Sequence, residues 1–332
     1  MDTTHKPEPS LRENRVTRGA WILLDWAASG FSTVLITLVV AYVERVVFPA
    51  GWSGFESGVI WAWTLAAAML ASALLAPWVS ARADRCDSHQ RALGAATVVG
   101  AGGLLALAAS PPTARLAVVG AVVAACVGFD LAQIFTGSLL PRIANHDADR
   151  LSARGFAAGY AGGAIALLIA TALVTAHDRF GIDAAGGLRL AFVFTAAWWL
   201  VFTLPAAVAR FGSGDGAPHA ANSGRELVAF ARGLVTGDKD GASPRLAAVL
   251  GGSMLALGAV QTGIAQFTSL AMQRFELDGP ALVRLVLLVQ AVALPGALFI
   301  GWLSERCGRR IAAAVCLGGW LAVLALAWLV QT

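Results

Sequence analysis

Charge is scarce in this chain. Asp, Glu, Lys and Arg make up 13% of 332 residues, against about 25% in an average soluble domain. That scarcity excludes a disordered polyelectrolyte and argues against an ordinary water-facing surface. Cysteine is sparse too. Cys86 and Cys307 fall in polar connections, while Cys126 and Cys316 fall inside apolar runs. Neither a disulfide framework nor a zinc site is expected from such placement. The five histidines (His5, His89, His146, His177 and His219) lie outside the apolar runs and form no cluster, so no metal is expected. No nucleophile–base pair or phosphate-binding loop is visible. Gly212, Gly214 and Gly216 sit in a polar stretch with no strand before them and read as a linker. The chain therefore reads as neither an enzyme nor a cofactor protein.

Apolar residues, at 58%, are abundant. They gather into nine continuous runs, at about 20–42, 57–79, 92–110, 114–140, 155–176, 188–209, 245–271, 281–303 and 311–330. About 20 apolar residues span about 30 Å of hydrocarbon as a helix. The runs do not alternate, which excludes a membrane β-barrel. An all-α integral membrane protein of about nine spanning helices is expected. The first run is too long for a signal-peptide core, contains Asp25 and lacks a cleavage site, so it reads as an uncleaved first helix.

Basic residues set an orientation. With the N-terminus in the cytoplasm, eighteen Lys and Arg residues fall inside. Only Arg45, Arg115, Arg179, Arg189, Arg274 and Arg284 fall outside. The bias follows the positive-inside rule, and it accounts for the net charge of +4 without a nucleic-acid partner.

The longest polar connection, 211–244, divides a six-helix N-terminal bundle (1–210) from a partial C-terminal bundle of three helices (245–332). It contains Arg225–Leu234, an amphipathic segment suited to the membrane interface. A repeat lies on either side of it. The second and third runs enclose Asp84-Arg85-Cys86 followed by Arg91. The eighth and ninth enclose Glu305-Arg306-Cys307 followed by Arg309 and Arg310. Two copies of one helix–charged loop–helix unit imply two related bundles. The loops are candidate cytoplasmic latches, closed in one state and open in the other.

Polar residues inside hydrocarbon are costly and mark candidate pathways. The first run carries Asp25, Ser29, Thr33 and Thr37 at four-residue spacing, hence on one helix face. The fourth carries Asp130 and Gln133, and the seventh Gln261, Thr262 and Gln266. These three stripes are expected to line a shared hydrated path. Asp130 lies about 16 Å along the helix from Pro141, near mid-membrane, where a carboxylate can load and release a proton. Gly155, Gly159, Gly162 and Gly163 give the fifth helix a small face for close packing. Trp21, Trp52, Trp78 and Trp302 read as interfacial anchors.

Five segments carry a resemblance. They are Leu24–Val34, Ser138–Ala144 with Arg150–Gly163, Trp198–Pro205, Val260–Thr262 and Ala293–Gly301. In order along the chain, they resemble the vacuole-effluxer, or autophagy-related permease, family of the major facilitator superfamily, in its bacterial branch. The loop Gly301-Trp-Leu-Ser-Glu-Arg-Cys-Gly-Arg-Arg310, between the eighth and ninth runs, is similar to that superfamily's signature loop. The resemblance implies a secondary transporter of a small polar metabolite, with an amino acid suggested by the fungal branch. It also implies proton coupling, alternating access and a bacterial inner-membrane location. The family pattern has twelve spans against nine here. It also has Asn at the place of Ala28 and polar residues at the place of Ala256-Leu-Gly-Ala259. These departures support an alternative: a membrane scaffold, or a subunit completed by another chain or by a second copy.

Overall fold

The computed structural model describes residues 11–144, 147–209, 211, 244–275, 277 and 279–331. The linker segment 212–243, with its amphipathic stretch Arg225–Leu234, lies outside the described residues. Among the described residues the chain is helical apart from short turns and loops and an isolated bridge between Trp52 and Phe55. Nine long helices follow the nine apolar runs. They are α1 (Leu11–Val34), α2 (Ser57–Arg85), α3 (His89–Ala109), α4 (Arg115–Leu139), α5 (Ala148–Thr175), α6 (Ala184–Val208), α7 (Pro244–Arg274), α8 (Gly279–Cys307) and α9 (Arg309–Gln331). Among the described residues, eight helices are long and apolar enough to cross a membrane.

Most helices outrun the apolar stretches that announce them. Their backbone groups stay paired within the helix whether lipid or water surrounds them, so a polar end need not stop a turn. The first helix does this most. Beyond Val34 it continues through a π segment (Leu35–Val39), a single α turn (Val40–Tyr42) and a second π segment (Val43–Val47). Each π segment shifts the side-chain register of the following turn, a feature that gathers at functional sites.

Small residues decide how the bundle closes. α1 packs against α5 and α6, α3 against α4 and α6, α2 against α4, and α8 against α5. A Cβ at Gly128 would collide with the backbone of Gly100. At Gly162 it would lie 2.6 Å from the carbonyl oxygen of Trp26. The α3–α4 and α1–α5 seams therefore approach closely enough that only hydrogen fits, the small-residue logic of membrane helices. Aromatic rings fill the space between α1, α4 and α6. Phe31 stacks on Trp199 at 5.0 Å and meets Phe129 at 5.1 Å.

Of the four tryptophans read as anchors, Trp52, Trp78 and Trp302 are exposed near helix ends. Trp21 is not an anchor. It is buried, and its indole nitrogen donates to the carbonyl of Thr136 at 2.9 Å. Its neighbours α4 and α5 cover the helix end that hydropathy alone leaves at the interface.

Candidate functional site

The end of α8 and the start of α9 make a polar contact with the first six helices. Asp149, in the first turn of α5, accepts from Ser304 Oγ at 2.9 Å and from Arg309 Nε at 2.8 Å. One residue on, Arg150 Nε lies 4.0 Å from Glu305. Beneath these pairs Gly301 of α8 packs against Ala153 of α5 so closely that a Cβ would clash. Arg306 turns away and lies 5.5 Å from the Trp302 ring, while Arg310 is exposed. The turn from α8 to α9 favours glycine, since Gly308 has φ +89°.

The α2–α3 loop carries the first copy and closes differently. His89 is buried, with Nε2 2.8 Å from Asp84 and Nδ1 2.7 Å from the guanidinium of Arg142. Arg142 can only donate, so Nδ1 accepts and the ring proton is assigned to Nε2, facing Asp84. Arg142 also donates to Asp87 at 2.8 Å. This network ties the loop to the end of α4. Of the sequence candidates here, Asp84 takes part. Arg85 bonds back to Ala81 of its own helix at 3.2 Å, and Arg91 is exposed. Asp87, His89 and Arg142 were not singled out by sequence. The two separate runs give no hint that they meet.

The intramembrane polar groups fall into three seams. Asp25, Ser29 and Thr33 face the glycines of α5. A Cβ on Gly159 would lie 2.6 Å from Ser29 Oγ, and one on Gly155 would lie 3.2 Å from the Asp25 carboxyl. Thr33 also accepts a hydrogen bond from Gln290 of α8 at 2.8 Å. Gln290 is buried and was not among the sequence candidates. Asp130 turns toward α2, where Ser72 Oγ donates to it at 2.7 Å. Gln133 is half-buried, with Oε1 enclosed and without a hydrogen-bond partner. On α7, Gln261 is exposed and Gln266 half-buried. The expected single path is therefore divided in this conformation. Only the α1 stripe is brought together with a residue of the last three helices.

An open groove of about 740 Å³ runs between α5, α8 and α9, with Asp149 and Arg309 among its lining. Tyr160 lines it and lies near enough to Asp25 to interact electrostatically. Among the described residues, no group of His, Cys, Asp and Glu is arranged to hold a metal ion.

Among the described residues, a bundle of long apolar helices without strands, joined through a repeated charged loop, defines a polytopic helical membrane protein. Residues 45–330 match the model of the "Vacuole effluxer Atg22 like" family, and the chain belongs to that family. It is also similar to an uncharacterized MFS-type transporter, YxiO, of Bacillus subtilis (strain 168). The two are 28% identical over 190 residues, which is 56% of this chain and 44% of that protein. The chain thus matches less than half the length of this curated relative.

Proposed function

We propose that this protein is a secondary transporter, not an enzyme, moving a small polar metabolite such as an amino acid across a bacterial inner membrane. Transport is proton-coupled and proceeds by alternating access, with the N-terminus in the cytoplasm. The observation that carries the reading is the Asp149–Ser304–Arg309 contact. It joins the two parts of the chain at one end of the α5–α8 seam, through polar bonds that can break and re-form. Breaking it frees the Gly301–Ala153 packing and opens that end. Family membership and the MFS-type relative support the same reading.

In this scheme the α8–α9 loop (Glu305, Arg306, Arg309, Arg310) is the moving cytoplasmic latch. The α2–α3 loop (Asp84, Arg85, Arg91) is its counterpart, held here by His89 and Arg142. Asp25, Ser29 and Thr33, with Gln133, Gln261 and Gln266, supply hydrogen bonds to substrate. Asp130 carries the proton, its charge sheltered in the α2–α4 seam and steadied by Ser72. The test is flux in proteoliposomes. Amino acids should move when a pH gradient is imposed, and movement should cease when it collapses. Absence of flux for every amino acid and related metabolite tried, with or without a gradient, would remove the reading.

A second reading, a scaffold or a subunit completed by another chain or a second copy, is favoured by α9. Only 6% of its spanning window is buried among the described residues. Lipid satisfies such a face as readily as protein does, so the intact assembly's mass in native membrane discriminates the two.

A further inference from the structure

The proposed mechanism leaves one buried acid unused. Glu44 sits in the second π segment of the first helix, at the end of the bundle away from the latch, and is 5% exposed. Ser269 of α7, also 5% exposed, hydrogen-bonds its carboxyl. The other oxygen, Oε1, is enclosed and has no hydrogen-bond partner among the described residues. Beside Ser269, Thr268 is fully buried with its hydroxyl likewise unpartnered.

The surrounding charges do not complete it. Arg45, whose charge acts on Glu44, is exposed and spends one guanidinium nitrogen on the carbonyl of Leu277 at 2.8 Å. On the α2 side, Glu56 is exposed at the helix start. On the α4 side, Arg115 lies 5.5 Å from the Phe48 ring. On the α6 side, Arg189 interacts with Tyr42. On α7, among the described residues, the facing groups are the hydroxyls of Thr268 and Ser269.

We propose that Glu44 is a proton-binding site at the outer mouth, whose charge state sets whether α1 and α7 stay packed there. A proton from the outer water binds Oε1. The carboxyl is then neutral and suits the closed, water-free seam. When the seam opens, water solvates the carboxylate and the proton leaves. An ionised Glu44 in the closed seam would hold an unpaired charged oxygen away from water, which burial strongly disfavours. The two π segments supply the irregular helix at which α1 can shift against α7. The Arg45–Leu277 bond is the polar strap on the same seam. That this mouth is the outer one rests on the transport reading and its orientation; the site itself does not.

The test is pH-difference infrared spectroscopy on the full chain in lipid vesicles, with no substrate present. The wild type should show a protonated-carboxyl C=O band that titrates. Glu44→Gln should abolish that band and Asp130→Asn should leave it in place. An unchanged spectrum in Glu44→Gln overturns the proposal. Should Glu44→Gln fail to fold, Ser269→Ala removes only the hydrogen bond, and the band should shift in frequency; an unshifted band overturns it equally. Failure of the transport reading would show separately, as a titrating band in a protein that supports no flux.

Discussion

Asp87 and Gly308 occupy the same left-handed turn in two copies of one loop. Asp87 has φ +42° and Gly308 φ +89°, each directly following a cysteine in an acidic-Arg-Cys sequence. Their spacing of 221 residues matches the repeat seen in the sequence. The backbone thus preserves a repeat that side chains have partly lost. Where the second copy keeps glycine, the first holds an Asp that pays the conformational cost and gains a partner in Arg142.

That turn yields the first prediction. Gly308→Ala forces a Cβ into the left-handed region, which costs about 1–2 kcal/mol. The variant's thermal midpoint in detergent should fall. An unchanged midpoint would mean the turn relaxes freely and does not position α9.

The latch predicts a change in accessibility. In a background without native cysteines, Ala153→Cys should be shielded by Gly301 and react slowly with a membrane-permeant thiol reagent. Adding Asp149→Ala removes both Ser304 and Arg309 as partners. Labelling should rise by about two- to fivefold, the scale of a partly exposed charged contact. Equal rates in the two backgrounds would show that Asp149 does not hold the seam.

Two glycines should behave oppositely. Gly162→Ala drives a Cβ against the Trp26 backbone and should cost about 1–3 kcal/mol by overpacking. Gly102→Ala in α3 meets nothing within 4 Å and should gain about 0.5–1 kcal/mol from helix propensity. Comparing unfolding midpoints checks both. A loss at Gly102 comparable to that at Gly162 would show that seam packing is not what Gly162 provides.

Asp130→Asn keeps an oxygen that can accept from Ser72 but cannot ionise. Its unfolding midpoint should stay close to wild type, and flux in vesicles should lose its dependence on a pH gradient. Gradient-driven flux equal to wild type would remove Asp130 from coupling.

The helices were legible because hydrocarbon leaves the backbone no alternative to internal hydrogen bonds. A run such as 92–110 therefore announces α3 almost residue for residue. The candidate site was legible only where it is local. Asp25, Ser29 and Thr33 share a face because the helix repeats every 3.6 residues, and the structure keeps them on one face. What that face meets is another matter. No spacing within α1 indicates Gln290, 257 residues away in α8. Glu44 was hidden differently: in sequence it stands beside Arg45 and belongs to none of the polar stripes. The π segments turn it into the α7 seam instead, and Arg45 outward.

Sequence alone determined that this chain enters a membrane as helices, where those helices run, and that one loop occurs twice. These follow from transfer free energies and helical periodicity, which act on neighbouring residues. Tertiary structure alone decided that the second loop grips Asp149 while the first grips Arg142. It also decided that Asp130 faces Ser72 and that Glu44 is enclosed with one oxygen unpaired. Such pairings depend on which glycine faces let helices approach, a property of surfaces meeting across the bundle rather than of any one segment.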